Sequence, residues 1–363
     1  MSIIISETMK KLALVALCFV STTIHAQTLK NIISESAPEM HFGLFSDWSA
    51  LATLTDNKVD LKSGNIVGHW TTRFSPDFFY FSEITVSPDQ HIGSQLAVER
   101  AFFQFNYADG VRLRVGRIHT PVSLWNTTYH HGQYLQTTIS RPEVVKYSTK
   151  FSPIHSIGIE LGGMLNRDAG SLEYQIGLGQ REMGHHGNIS GNETGHHPGA
   201  YLGGSFKPAR FFGLSFGGTA YVEEREDPSH STTISEHEEL LEVVLNGHIA
   251  YESLRWNLIS EVIHLKHVID DNVFKSFGFY SQVSRRFGGP KGKSTLFARY
   301  GRLNKNENDP FFVSDNCFKW QGLTTGWRFD FAPTVAFTTE YRQFGESNLT
   351  GVRSISFQIS AAL

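Results

Sequence analysis

Apolar and polar side chains alternate along many separate stretches of this chain. An example near the C-terminal end is 335–342, where Val335, Phe337, Thr339 and Tyr341 alternate with Ala336, Thr338, Glu340 and Arg342. The same two-residue period recurs at 111–116 and at 354–361. Such a period is typical of a β-strand with one face against an apolar medium. The pattern therefore predicts an all-β protein.

The segments between the alternating stretches differ in length in a regular way. Short turns such as Asp109-Gly110 and 330–333 alternate with longer polar segments such as 184–198 and 224–238. This spacing predicts about sixteen antiparallel strands, with short turns at one end and longer loops at the other, as in transmembrane β-barrels of bacterial outer membranes. A barrel of that size encloses water. A soluble β-sandwich would also alternate, but it would not explain the regular spacing.

The N-terminal residues have the composition of an export signal. Met9, Lys10 and Lys11 precede a short apolar run at 12–20, and Ala26 ends a small-residue cleavage motif. We therefore predict a signal peptide over 1–26, with translation starting at Met1 or Met9. A short periplasmic segment over 27–40 and a barrel over 41–363 in the outer membrane would follow. Cys317 would then be the only cysteine, which excludes an internal disulfide.

Composition narrows the class further. The formal net charge of the 363 residues is -3, without the basic excess of a nucleic-acid-binding protein. No stretch of 18 consecutive apolar residues follows the signal, so no transmembrane helix is predicted. An exported, aromatic-rich chain of this kind fits a β-barrel in contact with outer-membrane lipid.

One connection is far longer than the others. From Gly116 to Tyr147 the sequence reads GRIHTPVSLWNTTYHHGQYLQTTISRPEVVKY, and the alternation ends at His119. A segment so rich in aromatic side chains would be poorly solvated if it projected outward. We therefore predict that residues 119–153, the third loop on the long-loop side, fold into the barrel lumen.

Two stretches carry a resemblance to a known family. The sequence ERAFFQFNYADGVRLRVGRIHTPVSLWN (Glu99–Asn126) and the hairpin WRFDFAPTVAFTTEYR (Trp327–Arg342) resemble bacterial porins of the phosphate-selective type. The resemblance implies a sixteen-strand barrel whose third loop forms the constriction. It also implies passive diffusion of small hydrophilic solutes, no cofactor, and assembly as a homotrimer.

Basic residues cluster around the predicted constriction. By alternation, Arg112 and Arg114 face the lumen, because arginine in lipid costs roughly 2–4 kcal/mol near the midplane. The full predicted constriction set is Arg100, Arg112, Arg114, Arg117, His130, His131, Arg141 and Lys146. A ring of such groups selects anions, so we expect anionic solutes to be preferred. The alternative is that these arginines are wall clamps bonded to carboxylates and carbonyls.

Histidine pairs mark a second loop. His185, His186, His196 and His197 lie in GHHGNISGNETGHHPG, a tract that could bind metal only weakly because no carboxylate cluster completes it. We predict no metal site. Two rival functions remain: a surface receptor or adhesin working through its loops, and a barrel enzyme. The one Ser/His cluster, 229–231, lies in an acidic loop that would not fix an attacking geometry, so no enzymatic activity is predicted.

Overall fold

The protein folds as a closed, all-antiparallel β-barrel. The computed structural model describes residues 38–89, 93–130, 132–181, 198–226, 239–288, 292–312, 318–346 and 351–363. Within these ranges there are sixteen strands: β1 Glu39–Thr53, β2 Lys58–Arg73, β3 Phe78–Asp89, β4 Gly93–Ala108, β5 Val111–His119, β6 His155–Arg167, β7 Gly170–Arg181, β8 Gly199–Pro208, β9 Leu214–Glu226, β10 Glu239–Glu252, β11 Trp256–Ile269, β12 Asn272–Phe287, β13 Ser294–Asn304, β14 Lys319–Ala332, β15 Val335–Gly345 and β16 Val352–Ala362. This confirms the predicted fold class and strand number.

The first and last strands close the sheet. Each strand pairs with its neighbours in sequence, and β1 also pairs with β16, with Trp48 opposite Ile359. Closure leaves no row of unpaired backbone N–H and C=O groups, which lipid could not satisfy. The first strand begins at Glu39, and the connection between β5 and β6 covers residues 120–154.

Side chains sort to the two faces of the sheet as alternation requires. In β11, Glu261 and Ile263 are fully buried while Val262 between them is 39% exposed. The outer face carries many exposed apolar side chains, among them Phe42, Trp48, Leu61, Leu202 and Ile249. Such a band suits contact with lipid. Among the described residues, no helix is long and apolar enough to cross a membrane.

Connections of two kinds lie at the two ends of the barrel. Short connections of two to six residues at one end cover 74–77, 109–110, 168–169, 209–213, 253–255, 288–293 and 333–334. The opposite end carries the connections at 54–57, 90–92, 120–154, 182–198, 227–238, 270–271, 305–318 and 346–351. The connection at 270–271 is as short as a turn, because β11 and β12 extend almost to meet each other. The even number of strands places both ends of the barrel sheet on the short-turn side.

The apolar core lies between the long connection and one wall of the barrel. The segment 120–154, called the inner loop below, contains helix α1 (Leu124–Tyr129) and three single 3-10 turns at Gln133–Leu135, Glu143–Val145 and Tyr147–Thr149. Its buried apolar side chains pack in one cluster with inward residues of β11 and β12, and the members include Val122, Trp125, Val144, Phe151, Ile259, Ile263 and Tyr280. The inner loop is therefore seated inside the barrel, against strands far from its own.

Candidate functional site

Glu261 on the opposite wall holds the start of the inner loop. Its carboxylate accepts hydrogen bonds from the backbone N–H groups of Leu124 (2.8 Å) and Trp125 (2.9 Å) at the first turn of α1. Further donors are the hydroxyl groups of Ser123 (3.2 Å) and Tyr280 (2.5 Å) and the side-chain amide of Asn246 (3.2 Å). Ser123 caps the start of this helix. A carboxylate beside the free N–H groups of a helix start is stabilising, which explains why the helix begins next to Glu261.

A second anchor holds the middle of the inner loop. The Glu340 carboxylate of β15 accepts hydrogen bonds from the backbone N–H groups of Ile139 (2.8 Å) and Ser140 (3.2 Å). Nearby, Arg328 of β14 donates to the carbonyl oxygens of Tyr134 and Gln136, both at 2.6 Å. A glutamate thus accepts from backbone N–H groups of the loop, and an arginine donates to its backbone carbonyl groups.

Arg299 of β13 completes this contact. Its buried guanidinium donates to the hydroxyl groups of Thr138 (3.0 Å) and Ser140 (2.6 Å). Sequence reasoning did not single out Glu261, Arg299, Arg328 or Glu340. A signal was present, because each of them is a charged residue at an inward position of an alternating strand. The sequence-based prediction uses alternation to orient charged side chains only in β5, next to the loop in sequence.

Three of the predicted arginines of β4 and β5 are ion-paired. Arg100 pairs with Glu83 (2.5 Å), Arg112 with Glu173 (3.2 Å) and Arg114 with Glu160 (3.0 Å). In two of these pairs the carboxylate is buried and the guanidinium meets the open space: the side chains are 30% and 2% exposed for Arg100–Glu83, and 27% and 1% for Arg114–Glu160.

The third pair has the opposite orientation. Arg112 is 18% exposed and its partner Glu173 is 33% exposed. In this pair the glutamate side chain is therefore the more exposed member. The three pairs have the same net charge, but they differ in which end faces water.

The remaining predicted constriction residues belong mainly to the inner loop and its base. Arg117 donates to the backbone carbonyl of Glu99 at 3.0 Å. Arg141 donates to the carbonyl oxygen of His130 at 2.7 Å. Lys146 pairs with a carboxylate oxygen of Glu143 at 2.5 Å, and burial lowers the pKa of its ammonium group. These groups hold the loop's shape.

Several predicted residues lie outside the described ranges. They are His131, the histidines His185, His186, His196 and His197, the cluster 229–231, Cys317, and the signal segment 1–26.

Open space remains on both sides of α1. A cavity of about 830 Å³ lies between the helix and strands β7 to β11, where Gln175, Thr219 and Asn257 contribute polar side chains. A second cavity of about 220 Å³ lies toward β1 to β5 and includes Glu83 and Arg100 in its lining. Thr127 and Thr128, both exposed, line the two cavities. The inner loop narrows the lumen without filling it.

Three histidines gather at the base of the inner loop. His119 ends β5, His155 begins β6 and is paired with it across the sheet, and His130 follows α1. One ring nitrogen atom from each histidine lies within 4.8 Å of the other two, the only such group of potential metal ligands among the described residues. The sequence-based prediction includes His130 in the constriction but does not consider His119 or His155 as a site residue.

Comparisons with known proteins bear on the fold. No family model matches the sequence, and no curated protein matches it. Among solved structures, the anion-selective porin from Comamonas acidovorans has a TM-score of 0.59 at 12% identity, over 90% of this chain and 100% of that one. Salmonella typhi OmpF, in complex with daunomycin, has a TM-score of 0.60 at 13% identity, over 91% and 99%.

A third solved structure is the trimer form of OmpT, an outer membrane protein of Vibrio cholerae. It has a TM-score of 0.59 at 10% identity, over 90% of this chain and 100% of that one. At these identities the likeness shows the fold. This chain therefore has the sixteen-stranded barrel architecture of bacterial outer-membrane porins.

Proposed function

We propose that this protein is an outer-membrane channel through which small hydrophilic solutes diffuse passively. The observation that carries the proposal is a closed barrel, apolar outside, whose inner loop leaves polar open space beside Thr127 and Thr128. The barrel likeness to outer-membrane porins supports both the location and the channel function. Lipid would contact the outer face, and the trimer form of one similar barrel supports a homotrimer.

The decisive experiment is conductance across a planar bilayer. Purified protein should produce stepwise, ohmic increases in current, because a permanently open water-filled path needs no ligand. A receptor, adhesin or barrel enzyme would insert without such steps. Silent insertion of correctly folded protein would refute the proposal.

We further propose that the channel prefers anions, by a small margin. Arg100, Arg112 and Arg114 are each neutralised by a glutamate, so no excess positive charge arises from these pairs. In the Arg100–Glu83 and Arg114–Glu160 pairs, however, the guanidinium is the exposed end. A pair oriented in this way presents a positive end to the channel water, and fixed local charge governs permeation.

Removing whole pairs tests the orientation rather than the net charge. Changing Arg100→Gln together with Glu83→Gln removes zero net charge, yet it should lower the anion-to-cation permeability ratio measured from reversal potentials in a KCl gradient. The matched control is Arg112→Gln with Glu173→Gln, where the carboxylate is the more exposed end.

The control pair should leave the ratio unchanged or raise it. The difference between the two variants should shrink in about 1 M salt, where the Debye length is roughly 3 Å. A cation-selective wild type, or equal effects of the two paired changes, would show that pair orientation does not set selectivity.

A further inference from the structure

The three histidines at the base of the inner loop form a compact cluster. Ring centroids are 4.8 Å apart for His119 and His130, 5.0 Å for His119 and His155, and 5.4 Å for His130 and His155. His130 and His155 are each 5% exposed. Two of them, His119 and His155, lie opposite each other in the β5–β6 register, and the third belongs to the inner loop.

A carboxylate lies beside the cluster. Glu99, which is 4% exposed, places Oε2 at 3.2 Å from Nε2 of His155. Two ligand atoms of a tetrahedral Zn²⁺ site with bonds of about 2.0–2.1 Å lie roughly 3.4 Å apart. The Glu99–His155 distance already corresponds to one edge of such a tetrahedron. The three nitrogen atoms, within 4.8 Å of one another, must close by up to about 1.4 Å to complete it.

We propose that His119, His130, His155 and Glu99 bind a divalent transition-metal ion of the imidazole-preferring class, such as Zn²⁺. Three imidazoles and one carboxylate form a donor set that Zn²⁺ accepts. The bound ion would join the end of β5, the start of β6 and the residue after α1. The ion would thereby connect the inner loop to β5 and β6, the strands that the loop joins. The site is independent of whether the barrel conducts.

Arg141 competes with the metal. Its NH1 group lies 3.3 Å from Nδ1 of His130, and since a guanidinium only donates, this nitrogen acts as the acceptor. A metal-bound imidazole normally carries a proton on its other nitrogen and donates it. Metal binding through Nε2 of His130 therefore requires the NH1 contact to open. The second contact of Arg141, to the His130 carbonyl, can persist.

The test uses full-length protein refolded in detergent, in a background where the four histidines of the 185–197 loop are changed to Asn. That background removes the other histidine-rich segment of the chain. Zn²⁺ is titrated against a chromogenic chelator, and Co²⁺ is added separately to read the visible absorption of a four-coordinate site. The expected result is one ion per chain, with Co²⁺ giving the spectrum of a four-coordinate site.

Single changes then identify the ligands. His130→Ala and Glu99→Gln should each weaken Zn²⁺ binding by tenfold or more. His69→Ala is the matched control, because His69 lines the same cavity as His119 and His130 but is not in the cluster. It should leave the affinity unchanged. Arg141→Leu should strengthen binding, since it removes the competing donor, and this gain is not expected if the metal binds elsewhere.

Two results would overturn the proposal. One is the absence of stoichiometric binding in the background protein. The other is binding that persists unchanged in His130→Ala. His130 lies outside the strands, so its variant is expected to fold, and circular dichroism and heat-modifiable gel mobility verify this before titration.

Discussion

Replacing Glu261 with glutamine should release the start of the inner loop from the barrel wall. The carboxylate is fully buried and both of its oxygen atoms accept hydrogen bonds. Oε2 accepts from Leu124 N–H and the Asn246 amide, while Oε1 accepts from Ser123, Trp125 N–H and Tyr280. An amide can keep only one acceptor oxygen, so its NH₂ group must face at least two donors.

The expected loss follows from this count. A hydrogen bond to a charged group contributes about 1.5–3 kcal/mol net, so losing two of them weakens docking of this segment by about 3–6 kcal/mol. A loss of about 3 kcal/mol alone corresponds to roughly a hundredfold change in an equilibrium constant. The second anchor, at Glu340 and its neighbours, stays in place. The change therefore should free the segment around α1 and leave the rest of the loop seated.

Hydrogen exchange measures the release directly. The amide protons of Leu124 and Trp125 bond to the substituted group, so their exchange should accelerate by about two powers of ten. Single-channel recordings should show larger or more variable conductance, because α1 narrows the lumen.

Glu160→Gln provides the matched control. Glu160 is equally buried, at 1% exposure, but its partners Arg114 and Tyr201 belong to the wall. It should leave exchange at Leu124 unchanged. If Glu261→Gln accelerates exchange no more than Glu160→Gln does, the carboxylate is not the anchor that holds the loop.

Other predictions concern assembly and orientation. Gly116 has φ of +134°, and a Cβ there would lie 2.3 Å from the carbonyl oxygen of Ala101, so Gly116→Ala should lower the yield of heat-modifiable barrel, whereas Gly68→Ala, with open space around it, should not. A peptide tag at Asn306 should bind antibody on intact cells, and a tag in the turn at Ala209 should bind only after permeabilisation. Labelling in the reverse order would invert the orientation of the barrel.

The barrel could be predicted from the sequence, but the residues that bind its inner loop could not. Alternation and turn spacing are local properties, which is why strand number and the position of the loop could be predicted. The contact between Trp125 and Glu261 joins residues 136 positions apart. Such a pairing depends on how the barrel closes and on which wall the loop reaches, and neither is encoded in a local period.

Ion pairs between neighbouring strands join residues close in sequence, but they too were not predicted. Arg100 and Glu83 are partners in one hairpin, but the register shifts between Glu83 and Ile84, so that Ile84 lies opposite Val98. Regular pairing counted from the hairpin end would therefore misplace Glu99, which is buried and contacts His155. One inserted residue in β4 thus brings Glu99 to His155.

The polarity of the inner loop follows from where it lies. A loop without regular secondary structure has many backbone N–H and C=O groups, and each would be costly if buried without a partner. Helix and sheet cannot supply those partners here, so Glu261 and Glu340 accept from the N–H groups while Arg328 donates to the carbonyl groups. Charged groups serve this purpose well because their hydrogen bonds are the stronger kind. Charges facing the lumen therefore have two separable positions: some are bonded to the loop, and others, such as Arg100, are partly exposed to the lumen. A count of inward charges from the sequence does not separate these two roles. Under the proposed channel function, only the exposed ends of the pairs would affect permeation.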